Sequence, residues 1–103
     1  MKIGGATIHI VLEQEEDFDK LNPDLLKLSP NPASTFLNVH LNGEQGFDEV
    51  VVRNITGQTV FNSGNQEGNN RTQVDVSKWQ SGMYFLSVYT AEGVITKKFE
   101  VIE

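Results

Sequence analysis

The sequence predicts an all-β fold, an antiparallel β-sandwich of about seven short strands. Three observations predict it. From Leu25 onward, apolar and polar residues alternate over short runs, the two-residue period of a half-buried strand. Turn-forming Gly, Asn and Asp residues separate the runs. No stretch carries the 3.6-residue apolar stripe of an amphipathic helix.

The elements follow in order. In "ATIHIVL", residues Ile8, Ile10 and Leu12 share one face, so the start of the chain reads as a strand. The segment 13–24, "EQEEDFDKLNPD", is too acidic to bury and reads as a linker. Asp17, Asp19, Asn22 and Asp24 faintly suggest a calcium loop, but the sixth-position glycine and terminal glutamate of an EF-hand are missing. "LLKLS" begins the sandwich. "LSPNPAS" follows, and Pro30 and Pro32 cannot both sit inside a sheet. They read as a stiff crossing that blunts an edge against strand addition. In "TFLNVHL", Leu37, Val39 and Leu41 point inward and Phe36, Asn38 and His40 outward. "NGEQG" is a turn, "DEVVVRNI" the third strand with Val50 and Val52 on one face, and Thr56-Gly57 turns the chain into "QTVFNS". After the polar loop "GNQEGNN", "TQVDVS" aligns Val74 with Val76 and sets Asp75 outward. "KWQSG" is a corner with Trp79 as a plug over one end of the core. "MYFLSVYT" and "GVITKKFEVI" form a last hairpin around Ala91-Glu92-Gly93.

Composition narrows the function. The chain has 103 residues, enough for one domain. Its net charge of -6 argues against nucleic acid and against an anionic membrane surface. It has no cysteine, hence no disulfide framework or thiolate chemistry. No apolar run approaches the ~20 residues of a spanning helix. His9 and His40 lie far apart on outward strand faces, which suits neither a metal centre nor a base. Carboxylates gather in the linker, where nothing would raise a pKa for acid–base work. No serine sits in a nucleophile elbow and no glycine-rich loop leads from strand to helix. Asn54-Ile55-Thr56 and Asn70-Arg71-Thr72 match the N-glycosylation sequon, a short pattern that recurs by chance. The residues therefore predict no enzyme and no cofactor.

Four motifs stand in order along the chain. They are Pro30-Asn31-Pro32; the centre "VRNITGQTV"; the corner "VDVSKWQSGMY"; and a hairpin with Thr90-x-x-Gly93 followed by Thr96-Lys97-Lys98-Phe99. From about Leu25 to the last residue the chain resembles the C-terminal sorting domains of the type IX secretion system of Bacteroidota. Trp79 stands where that family often has leucine, and Met83 where it has isoleucine or threonine. The resemblance implies an immunoglobulin-like sandwich at the C-terminus of a larger cargo protein. It implies export: transit through the periplasm, passage through an outer-membrane translocon, recognition by shuttle and sortase components, and arrival at the cell surface or in the medium after the domain is removed. It also implies the marker Pro30, Asn31, Pro32 at the domain start and recognition residues Gly82, Tyr84, Gly93, Lys97 and Lys98. Residues 25–103 would be the sorting domain and residues 1–24 a strand-like segment plus acidic linker. Segment 1–12 falls outside the pattern and reads as the tail of a cargo domain or as an expression-vector extension. Two local expectations accompany the resemblance. Gly82 takes a conformation that a Cβ would strain, and Tyr84 buries its ring while bonding its hydroxyl. The exposed last strand would offer its edge to a partner, and cleavage would fall within residues 13–24. The rival reading is an adhesive or carbohydrate-binding immunoglobulin-like module that stays on a surface protein. It needs Trp79, Tyr89 and Phe36 exposed on one surface.

Overall fold

The computed structural model describes residues 22–43 and 46–103. The run Ile8–Leu12 and the acidic residues 13–21 lie outside the described residues. Seven strands follow one another, as the alternation predicts: β1 (Leu26–Ser29), β2 (Phe36–Leu41), β3 (Glu49–Asn54), β4 (Thr59–Asn62), β5 (Arg71–Asp75), β6 (Gly82–Thr90) and β7 (Gly93–Val101). They form two antiparallel sheets, β1-β2-β5 and β4-β3-β6-β7. This is the sandwich, with a core filled from both inner faces.

Each strand's alternation decides what it buries. Leu37, Val39 and Leu41 of β2 face Val50 and Val52 of β3 and Leu86 and Val88 of β6, and all are at most 1% exposed. Val74 and Val76 close the core from β5 and the residues after it, while Asp75 between them is exposed. Burying a side chain of this kind stabilises the fold by roughly 1.5–3 kcal/mol. The outer face of the four-stranded sheet is less simply polar. Val51 is only 5% exposed there, and Ser87 is 6% exposed with its hydroxyl 2.8 Å from that of Thr96 across the strand pair. That bond satisfies both hydroxyls, so burying Ser87 costs little.

Two connections do more than link strands. The acidic segment ends in structure: Pro23–Leu25 is a 3-10 turn whose preceding residue, Asn22, caps it by accepting from the Asp24 amide at 2.9 Å. The turn lies against β7. Between β2 and β3, Phe47 is fully buried and pairs its backbone with Asn69. This pins the polar loop 64–70 against the β2–β3 connection. Gly46 permits the approach, because a Cβ there would overlap the Gly68 carbonyl.

Candidate partner-recognition site

β7 closes one edge of the four-stranded sheet. In an antiparallel ladder, alternate residues turn both backbone groups toward the neighbour or away from it. Glu100 turns outward: its amide donates to Asn31 Oδ1 at 3.0 Å and its carbonyl accepts from the Ala33 amide at 2.8 Å. The Ile102 amide donates to the Ala33 carbonyl at 2.9 Å, and Ala33 bridges Val101 in parallel. The Glu103 amide then donates to Ser81 Oγ at 2.9 Å. Asn31 of the marker and Ala33 just after it thus hold the far end of the last strand. Both Ser29-Pro30 and Asn31-Pro32 peptide bonds are cis. By the same alternation Val94, Thr96 and Lys98 turn their backbone groups to the free edge, and no backbone partner meets them among the described residues.

Gly82 and Tyr84 stand behind this edge. Gly82 begins β6 opposite Val101, at φ +153, with open space where a Cβ would stand. Its φ, and not crowding, is what favours glycine. Tyr84 is 7% exposed and its hydroxyl donates to the Gln80 carbonyl at 2.7 Å. A tyrosine at the start of a strand, bonded to backbone a few residues upstream, is the tyrosine corner of immunoglobulin-like sandwiches. Its ring centroid lies 5.0 Å from that of Trp79 and 5.8 Å from that of Phe99. Trp79 is half-buried against the core, the plug expected of it. Tyr84 therefore positions β6 and, through Phe99, β7, and shows a partner almost none of its own surface.

The lysines divide. Lys97 shares the inward row with Ile95 and Phe99, and its Nζ donates to the Leu26 carbonyl at 2.9 Å. That bond ties β7 to β1 of the other sheet. Lys98 is exposed on the opposite face, beside half-exposed Phe85. Gly93 closes the hairpin at φ +143, where its carbonyl accepts from Thr90 Oγ1 at 3.0 Å. The structure thus gathers the marker, Gly82, Tyr84, Lys97 and Lys98 around β7, with Gly93 at its start. It adds Ala33, Ser81 and the Leu26 carbonyl. These three act through backbone or a single hydroxyl, so residue type gave no signal for them.

Among the described residues the arrangement offers main-chain hydrogen bonds and the exposed ammonium of Lys98. Among the described residues no group of three His, Cys, Asp or Glu side chains is placed to hold a metal ion, and no helix is long and apolar enough to cross a membrane. Two shallow grooves, one lined by Asn38, His40, Arg71 and neighbours and one by Asn54, Val60, Trp79, Gln80 and Tyr84, contain no carboxylate in their linings. Asp75 has its carboxyl held below the usual 3.8 by hydrogen bonds from the Ser77 hydroxyl and then the Ser77 amide. It is a turn-stabilising group. Phe36 belongs to the three-stranded sheet, Tyr89 to the outer face of the four-stranded sheet, and Trp79 to the corner, so the three form no common aromatic platform.

The class these features define is an immunoglobulin-like β-sandwich with a clasped terminal edge strand. The family model of the secretion system C-terminal sorting domain matches residues 27–102, and the chain belongs to that family. The domain is a sorting signal for type IX secretion, and that signal implies export of a cargo across the outer membrane. A search of curated proteins found no match to the chain.

Proposed function

We propose that this domain is a non-catalytic C-terminal signal that delivers a larger cargo protein to the outer-membrane translocon of the type IX system and is then removed by a surface sortase. The observation that supports this most is that the edge strand carrying Thr96-Lys97-Lys98-Phe99 is held at the next residue, Glu100, by Asn31 of Pro30-Asn31-Pro32, a motif far away in sequence. A shuttle component recognises that strand by β-augmentation, pairing with the outward backbone groups of Val94, Thr96 and Lys98. Lys98 steers an acidic partner, while Gly82, Tyr84, Gly93 and Lys97 hold the hairpin in shape. The sortase cuts upstream of Asn22, because the capped turn from Asn22 onward is part of the folded domain. The cargo passes from the periplasm to the cell surface or the medium.

The test is localisation. The chain is fused behind a fluorescent reporter with its own signal peptide and expressed in a Bacteroidota host with and without a working type IX system. Reporter outside the wild-type cells and in the periplasm of the mutant is the expected result. Reporter retained in both would refute the reading. Normal surface display after deletion of Thr96–Glu103 would refute the role given to β7.

A further inference from the structure

The pairing of β1, β2 and β5 arranges the outer face of the three-stranded sheet in rows. Lys27 lies opposite His40, and His40 opposite Arg71. The row crosses the sheet from edge to edge over roughly 10 Å, two strand spacings. The next row is Ser29, Asn38 and Gln73, and the row after it is Phe36 and Asp75. Lys27 and Arg71 are exposed and His40 is half-buried.

Basic groups placed directly opposite one another work against strand pairing. In a chain of net charge -6, they gather here, and among the described residues the next row of this face is neutral. Among the described residues, the carboxylate paired into this face is Asp75, two rows away, and its Oδ1 already accepts from the Ser77 hydroxyl at 2.6 Å and the Ser77 amide at 2.9 Å. Gln73 Nε2 donates to Asn38 Oδ1 at 2.9 Å, which orients both amides and leaves the Asn38 amino group and the Gln73 carbonyl for a ligand. A shallow groove of about 290 Å3 runs along β2 and β5 beside Asn38, His40, Arg71 and Gln73. Phe36, at the far end of the face, is 43% exposed.

We infer that this face binds an acidic saccharide. Lys27 and Arg71 hold the oxyanion, with the planar guanidinium suited to two parallel bonds. His40 lies between them and donates a ring N–H. Asn38 and Gln73 supply the donor and acceptor that sugar hydroxyls need. Phe36 offers an apolar surface to the C–H face of a ring. The three rows extend over roughly 13 Å of strand, the length of a short oligosaccharide. An acidic peptide fits less well, because peptides dock on sheets through edge backbone groups, and these side chains stand on the face. The site lies on the sheet away from the β7 edge, so it does not rest on the secretion reading.

The test is a titration of the 15N-labelled full chain with oligogalacturonate, with maltotetraose as the neutral sugar and poly-glutamate as the acidic peptide. Saturable amide shifts at Phe36, His40, Arg71 and Gln73 are expected with oligogalacturonate, and none at Val94–Lys98. Maltotetraose leaves the spectrum unchanged. Lys27→Gln and Arg71→Gln each weaken binding at least about tenfold, the loss of a charge-assisted contact, with no fall in melting temperature. Absent shifts, shifts confined to another face, or equal binding of poly-glutamate would overturn the assignment.

Discussion

Asn31→Ala isolates the clasp on β7. The substitution removes the Oδ1 that accepts from the Glu100 amide at 3.0 Å and leaves the Ala33 bonds to Glu100 and Ile102 in place. Asn31 is exposed, so water takes over the freed amide and no buried group is orphaned. The cost is that of one ordinary hydrogen bond, about 1 kcal/mol. For a domain of this size that lowers the melting temperature by about 4–8 °C. The local effect is sharper. Amide exchange at Glu100 rises more than at the other β7 amides, toward the rate of edge-facing Lys98. Asn31→Asp keeps an acceptor in place and restores most of the protection. The assay is hydrogen exchange read by NMR on the wild type and both variants. Unchanged exchange at Glu100 in Asn31→Ala, or the same acceleration at every β7 amide, would refute the idea that this side chain clasps this strand.

Other substitutions test the surrounding geometry. Tyr84→Phe keeps the ring against Trp79 and Phe99 but orphans the Gln80 carbonyl, so a loss of about 1 kcal/mol in denaturant unfolding is expected with little change in Trp79 fluorescence. Lys97→Met breaks the tie to the Leu26 carbonyl and costs about 1 kcal/mol, whereas Lys98→Met stays within ~0.5 kcal/mol and instead reduces reporter export; equal effects of the two on melting would contradict the division of roles. The lowered Asp75 pKa means that the unfolded chain binds that proton more readily. Its contribution to stability is full above 3.8 and is lost as pH falls through the folded value. Ser77→Ala removes the hydroxyl donor and moves the Asp75 titration up toward 3.8, which carboxyl-carbon NMR reads directly; an unmoved titration would contradict the assigned cause.

Alternation made the strands legible because burial on one face of a pleated sheet writes a two-residue period into the chain. Leu37, Val39, Leu41, Val74 and Val76 are all buried as that period requires. The hairpin of β6 and β7 was readable from its turn and its length. Phe47 was not, because it sits outside any run and is buried by pairing with Asn69 across a loop of polar residues. Nor was the near-burial of outward Val51, which its own period does not require. At the candidate site, the motifs could be read in order but their meeting could not. Lys97 reaches a backbone carbonyl of β1 and Asn31 a backbone amide of β7, and a main-chain group carries no side-chain signature. Sequence showed that Lys97 and Lys98 face opposite ways; the second sheet decides which ammonium is used internally.

The capped turn at Pro23–Leu25 rests against β7, so the first described residues of the domain lie beside its last strand. On the proposed reading, in which a sortase cuts ahead of Asn22, the strand would be a fixed origin for that scission. Nine residues, Glu13–Leu21, precede Asn22, and fully stretched they reach roughly 30 Å. A machine that held the β7 edge, as proposed, would therefore have each of those peptide bonds within about one domain's breadth of its grip. The choice of cut becomes a matter of leash length as well as of residue type. Inserting or removing residues in that stretch would slide the cut along the chain while the docked strand stays where it is.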